Sequence, residues 1–166
     1  MLLRPLLYTI IHMLKRIKAA LGNITGSSDK SVEKGNADSL RFSVAILLVE
    51  VMHADHQLDE QEISMVIQLL QQQFELDEVA ARNLFSQANE KMKDVVSLHQ
   101  YTSHVNAALS YQEKKILMTN LWRIVFSDGR VDKYEEHLVR RVADLIHVGH
   151  KDFIKAKHVA QENSVC

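Results

Sequence analysis

The amino-acid sequence predicts an all-α protein, a single helical bundle of about seven helices. Only one proline and five glycines occur in 166 residues, which favours helices over a sheet with many turns. Apolar residues recur at helical spacing, and no segment shows sustained strand alternation. A short acidic motif occurs twice, each time between two predicted helices. This repeat indicates two helix-turn-helix units related by a pseudo-twofold axis.

The composition is that of a soluble globular domain with a core of ordinary size. Hydrophobic residues make up 46% of the chain and charged residues 25%. Twenty basic side chains against 21 acidic ones leave no basic field, so nucleic acid is not an expected partner. The one cysteine, Cys166, cannot form an internal disulfide or a cysteine zinc site. We therefore expect a cytoplasmic protein.

The first 21 residues differ from the rest and are predicted to form a separate amphipathic helix. Its apolar stripe consists of Leu3, Leu7, Ile10, Leu14, Ile17 and Leu21. Arg4, Lys15 and Lys18 lie on another face, and no acidic residue precedes Asp29. The apolar run is too short to span a bilayer. We expect residues 1–21 either to lie on the inner face of a membrane or to dock on their own domain or a partner.

Two further features concern the start of the folded part. Met13 is a second candidate for the first residue of the chain. Residues 22–37 are predicted to be a flexible linker, because they are polar and contain Gly26-Ser27-Ser28 and Lys34-Gly35-Asn36. The helical domain is therefore expected to cover residues 38–161.

Seven helices are predicted within this domain. The segment 39–54 is nearly all apolar and should be central and buried, and 111–126 is its partner in the repeat. Asp77 is a predicted N-cap, and two capping boxes open helices at Ser97–Gln100 and Ser110–Glu113. The remaining helices are predicted at residues 60–73, 78–92, after Ser97, 133–148 and 151–161.

The repeated motif is Asp-x3-Asp-x2-Glu, at an offset of 73 residues. We call its copies the first corner (Asp55, Asp59, Glu62) and the second corner (Asp128, Asp132, Glu135). The last two acids of each copy have the spacing of a capping box, which explains them without a ligand. Asp55 and Asp128 instead follow the carboxyl end of a helix, where the dipole disfavours an anion. Each therefore needs a compensating amide, basic side chain or cation.

Each corner is also a candidate site for a divalent cation, because its carboxylates could converge on a hard ion. The candidate metal ligands are Asp55, Asp59, Glu62, Asp128, Asp132 and Glu135. Flanking residues could coordinate a softer divalent ion. These are His53 and His56 at the first corner and Glu136 and His137 at the second. Capping and turn-locking alone is the alternative interpretation, and it carries more weight.

A standard calcium loop is rejected, although Asp128–Glu135 matches its second half. The positions of the first two ligands hold Ile124 and Phe126, which cannot coordinate an ion. The half-match is typical of a tight turn with an inward apolar residue, predicted to be Leu58 in the first corner and Val131 in the second.

Other chemistry is not indicated. The sequence has no His-Glu-x-x-His, no glycine-rich phosphate loop and no nucleophile elbow, so we expect neither catalysis nor an organic cofactor. Glu50 and Arg123 occupy equivalent positions of the repeat, within the two most apolar helices. We predict an interior ion pair between them, with Glu50 as an outer ligand of the first corner as the alternative.

The segments Leu47–Asp55, Leu58–Glu62 and Phe126–Glu136 resemble the tellurite-resistance protein B-like (TerB-like) family. This family includes a related domain of some membrane-anchored DnaJ-type co-chaperones. The likeness covers about residues 38–160. It implies a helical bundle without known catalysis, in a bacterial stress-response protein of the tellurite-resistance type. It also implies that the six corner acids are suspected metal ligands.

One residue departs from the family pattern. The family usually has Gly after the first Asp, and this chain has His56. Since a non-Gly residue tolerates positive φ poorly, the first corner should differ in shape or gain an imidazole ligand. Together these features predict a non-catalytic binding module for a divalent cation or a protein partner. A membrane-surface adaptor anchored by residues 1–21 is the alternative.

Overall fold

The computed structural model describes residues 29–54, 59–129 and 131–163, with side chains from Gly35 onward. The predicted all-α class is confirmed, because this part of the chain forms seven helices and no strand. The amphipathic helix predicted for residues 1–21 lies outside the described residues. The helices are α1 (Asp29–Met52), α2 (Glu60–Phe74), α3 (Glu78–Met92), α4 (His99–Ala108), α5 (Tyr111–Val125), α6 (Lys133–Leu145) and α7 (His150–Glu162).

Helix α1 is the centre of the bundle. Its six residues Val44–Val49 are all fully buried, as are Val51 and Met52. Burial on every side of a helix requires neighbours all round, and α1 packs against each of α2 to α6. Each fully buried Leu or Ile here contributes roughly 1.5–3 kcal/mol of hydrophobic stabilisation. The prediction of a central, buried helix from the apolar run is therefore confirmed.

Helix α5 is the second centre, and it carries the aromatic part of the core. It packs against α1, α2, α6 and α7. The Trp122 ring is fully buried, with its centroid 5.7 Å from that of Phe126 and 5.3 Å from that of Phe153 in α7. The ammonium of Lys157 lies 4.7 Å from the centre of the indole ring and covers it with the stem of the side chain.

Helix α1 begins earlier than predicted. Residues 29–37, expected to be part of a flexible linker, continue the helix toward Asp29. The hydroxyl of Ser39 donates to the carbonyl of Gly35 at 2.7 Å, and Ser43 donates to Ser39 in the same way. Once the buried half of α1 has formed, the helix can lengthen without a new nucleation step, and each added residue gains a backbone hydrogen bond. The polar composition was therefore a poor indicator of a linker there.

The helix starts follow the capping signals in all cases but one. Asp77 accepts from the amide of Ala80 at 2.7 Å, and Ser110 and Glu113 form the predicted capping box. The capping box predicted at Ser97 does not form as such, since α4 begins at His99 with Leu98 at the N-cap position, but the Ser97 hydroxyl still accepts from the amide of His99 at 3.2 Å. Leu98 is 4% exposed. Its burial in the core fixes the start of α4, a tertiary effect that outweighs the local signal.

Helix α6 ends at Leu145, three residues before the predicted end. His147 takes a left-handed conformation, with φ 61°, that usually belongs to glycine at this place. The amide of Val148 then donates to the carbonyl of Ala143 at 2.9 Å. Gly149, the residue after the predicted end, occupies the N-cap position of α7. Of the described helices, none is long and apolar enough to cross a membrane.

Candidate functional site

The second corner is a tight turn between α5 and α6. The Ser127 hydroxyl donates to the carbonyl of Ile124 at 2.7 Å, and the amide of Gly129 donates to Phe126 at 3.3 Å. Gly129 has φ 75°, a conformation that costs other L-residues about 1–2 kcal/mol. Glycine at this position therefore allows the chain to reverse immediately after Asp128.

The last two acids of the second corner form the predicted capping box. Asp132 Oδ1 accepts from the amide of Tyr134 at 2.7 Å, and Glu135 Oε2 accepts from the amide of Asp132 at 2.8 Å. Glu135 is only 3% exposed. A charged acceptor satisfies two otherwise open amides at the positive end of the helix, so these carboxylates stabilise the start of α6.

The first corner repeats this geometry where it can be compared. Asp59 Oδ1 accepts from the amide of Gln61 at 2.7 Å, again two residues along the helix. The backbone angles of the two caps agree closely, at φ −90° and ψ 136° for Asp59 and φ −85° and ψ 145° for Asp132. Glu62 is 2% exposed, as buried as its counterpart Glu135. Asp55, His56 and Leu58 lie outside the described residues.

Residues next to each corner line one shared groove. An open groove of about 400 Å³ joins the amino-terminal half of α2 to the turn of the second corner. At the far end of α2, Asn120 of α5 donates to the side chain of Gln73 at 3.3 Å, so α2 and α5 run in opposite directions. We call this depression the corner groove, and its lining residues are Glu60, Gln61, Ser64, Met65, Gln68 and Ser127.

The predicted metal ligands do not gather into a complete site within the described part of the chain. There, no three His, Cys, Asp or Glu side chains are grouped so that they could hold a metal ion. This includes the second corner, where Asp128, Asp132 and Glu135 are all described. The capping bonds account for the positions of Asp132 and Glu135. In the first corner only Asp59 and Glu62 are described, because Asp55 falls in the gap.

Two of the flanking residues proposed for a softer ion, His53 and Glu136, have other partners. His53 Nε2 lies 2.6 Å from Asn89 Oδ1, which joins the end of α1 to α3. Glu136 binds the ammonium of Lys157 at 2.8 Å and lies 3.7 Å from the guanidinium of Arg140. Glu136 therefore connects α6 to α7, beside the aromatic core rather than at the cap.

The predicted ion pair between Glu50 and Arg123 is absent from the salt bridges of the described residues. Burial raises the pKa of Glu50, and the positive charges of Arg141 and His53 oppose that rise. Burial also lowers the pKa of Arg123. The two positions are equivalent in the repeat, but Glu50 is influenced by α6 instead of by its counterpart on α5.

Replacing Glu50 by glutamine is expected to stabilise the protein at pH 7. Because its pKa is raised on folding, the folded state holds this proton more tightly than the unfolded state does. The protonated carboxyl of Glu50 therefore stabilises the folded state fully below the ordinary pKa of 4.5, and this stabilisation is lost as pH rises through the pKa of the folded state. The advantage of the glutamine variant in urea unfolding should thus shrink as pH falls from 7 toward 4.5.

The matched control for this measurement is Glu90→Gln, at an exposed glutamate of α3. Its unfolding free energy should stay within about 0.5 kcal/mol of the original. A Glu50→Gln variant that is less stable at pH 7, or whose advantage does not change with pH, would show that the carboxylate is held by its cationic neighbours.

Apolar exposure at the second corner differs from the prediction. Val131 was expected to point inward and is 48% exposed, because it lies between the turn and the cap and outside α6. Tyr134, three residues on, is 61% exposed, with the ammonium of Lys133 5.2 Å from its ring centre. The groove residues were also missed. Their only signal in the sequence is that Gln61, Ser64 and Gln68 are uncharged polar residues at helical spacing, on one face of α2.

A helical bundle built from two helix-turn-helix units with matched acidic corners is the class of protein that these features define. The sequence profile described as Tellurite resistance protein TerB matches residues 41–158, most of the chain. The protein belongs to this family. No curated protein and no solved structure shows significant similarity to the chain.

Proposed function

We propose that this TerB-family protein is a non-catalytic binding module that takes a basic protein partner at the corner groove. The supporting observation is that residues next to each corner line one groove. Glu60, next to Asp59, lies on one side of it, and Ser127, next to Asp128, lies on the other. The family description further suggests a role in a tellurite-resistance type of stress response, which we place in the cytoplasm.

The chemistry of the groove suits a peptide segment. Gln61, Ser64 and Gln68 offer amide and hydroxyl groups that can pair with a peptide backbone, and Met65 supplies an adaptable apolar surface. Carboxylates at the rims favour lysine and arginine on the partner. Such rim charges chiefly raise the association rate and select the partner.

Site-specific photo-crosslinking in cells tests this proposal. A photoreactive residue at Ser64, exposed inside the groove, should capture a partner, whereas the same residue at Gln87, exposed on α3, should not. The partner segment identified by mass spectrometry should carry a net positive charge. The same set of captured proteins from both positions would contradict the proposal.

A divalent cation at the first corner is the second candidate function. It is supported by the sequence, which places the three carboxylates of this corner within eight residues. Asp55, Asp59 and Glu62 would be the ligands, all through hard oxygen atoms.

Titration of the full chain with Ca²⁺, Mg²⁺, Mn²⁺ or Zn²⁺ tests this second function. One of these ions should shift the amide signals of Asp59 to Ile63, and Asp55→Asn should abolish the shift. Asp128→Asn, the equivalent change in the second corner, is the matched control and should leave it intact. If no ion shifts these signals, only the protein-binding function remains.

A further inference from the structure

The second corner also carries an exposed apolar pair, Val131 and Tyr134, which follows the groove residue Ser127 closely along the chain. Among the described residues, the large apolar side chains that are most exposed are Val79, Val96, Tyr111, Val131 and Tyr134. Of these, only Val131 and Tyr134 lie within one turn of each other. They follow Ser127 of the groove by a few residues, and Met65 provides apolar surface inside the groove. The groove and the pair both offer apolar side chains next to acidic residues of the two corners.

The charged residues at and beside this surface are net negative in the sequence, with Asp59, Glu60, Asp128 and Asp132 against Arg130 and Lys133. Asp59 and Glu60 lie on the α2 side, and Asp128 and Asp132 lie on the side of the turn. Lys133 is the one basic residue among the described positions from 126 to 136. A partner of complementary chemistry is therefore an amphipathic segment with several basic residues and no acidic ones.

We propose that residues 1–21 of this chain dock on the corner groove and on the Val131–Tyr134 pair beside it. This segment has the complementary chemistry, because its leucines and isoleucines recur at helical spacing and it carries Arg4, Lys15, Arg16 and Lys18 without any acid. Its apolar stripe needs cover from water, and the exposed pair provides apolar surface for that purpose.

The length of the chain permits this docking. Helix α1 has 24 residues and so is about 36 Å long, with the first corner following its carboxyl end. Residues 22–28 can span up to about 23 Å when extended, and a helix of 21 residues adds about 31 Å. A segment that starts from Asp29 and runs back along the bundle therefore reaches the corner groove.

Docking would regulate the binding proposed above, because the segment would occupy the groove that a basic partner needs. Only this regulatory consequence rests on the proposed function. The docking itself can be measured without any partner or cation, so the two proposals can fail separately.

Paramagnetic broadening in the full chain tests the docking. Tyr8→Cys with Cys166→Ser leaves a single thiol for a nitroxide spin label in residues 1–21. The label should abolish the amide signals of Ser64, Gln68, Val131 and Tyr134, and reduction of the nitroxide should restore them. In the same labelled chain, Lys15→Glu with Lys18→Glu should also restore the signals. Lys91→Glu with Lys93→Glu on α3 makes the same change in net charge and should not.

Three outcomes would overturn the proposal. Signals that persist in the labelled chain would show that the segment does not dock there. Signals that are also lost when a labelled, isotopically unenriched chain is mixed with an unlabelled, ¹⁵N-enriched one would assign the surface to a second copy. Persisting signals combined with burial of the nitroxide in phosphatidylglycerol vesicles would make residues 1–21 a membrane anchor instead.

Discussion

Replacing Trp122 by alanine is expected to lower the free energy of unfolding by about 3–5 kcal/mol. Trp122 is fully buried between Phe126 and Phe153, so alanine would leave a large cavity at the junction of α5 and α7. The change would also remove the ring beneath Lys157, which is bound to Glu136 at 2.8 Å. Loss of one side chain therefore weakens the attachment of both α6 and α7 to α5.

Urea unfolding followed by far-ultraviolet circular dichroism measures this effect without relying on tryptophan fluorescence. Val96→Ala is the control, because this side chain is 99% exposed and lies outside the proposed docking surface. Its effect should stay within about 0.5 kcal/mol. A loss below about 1.5 kcal/mol for Trp122→Ala would be less than hydrophobic transfer alone requires and would contradict the packing described for α5 and α7.

Leu48→Ala and Leu121→Ala are each expected to cost about 2–5 kcal/mol. The two leucines are 73 residues apart, at the same position of the repeat, and both are fully buried. Leu48 lies in α1 and Leu121 in α5, the two helices that the rest of the bundle packs against. We expect similar costs because each substitution removes the same side-chain atoms from a fully buried position of one core.

The control for this pair is Val79→Ala on α3, where the side chain is 70% exposed. Its effect in the same denaturant experiment should be within about 0.5 kcal/mol. A large cost at Leu48 with almost none at Leu121 would mean that the second unit contributes little to the cooperative core. The two units would then be alike in sequence but not in stability.

Features that depend on short-range chemistry could be predicted from the sequence. The caps at Asp77, Ser110 and Asp132 were found because an acceptor side chain and the amides it serves are neighbours along the chain. The buried run of α1 was found because a helix that is apolar all round has to lie inside. The repeat of the corners follows from the same local rules applied twice.

Features that depend on which helices meet could not be predicted. Glu50 and Arg123 are equivalent in the repeat, yet α1 presents Glu50 to the charge of Arg141 on α6. The groove shared by residues next to the two corners also depends on packing, since α2 lies against the end of α5. Nothing in either copy of the motif indicates that Glu60 and Ser127 border one groove.

Crosslinking at Ser64, combined with one altered acid at or beside each corner, tests the claim that the two corners act as one binding surface. Glu60→Gln changes the groove acid next to Asp59 of the first corner, Asp128→Asn changes the second corner, and neither residue is a helix cap. Each change should reduce the captured partner several-fold at low salt, and the pair should reduce it further. Capture that falls for one acid and is unaffected by the other would contradict the claim.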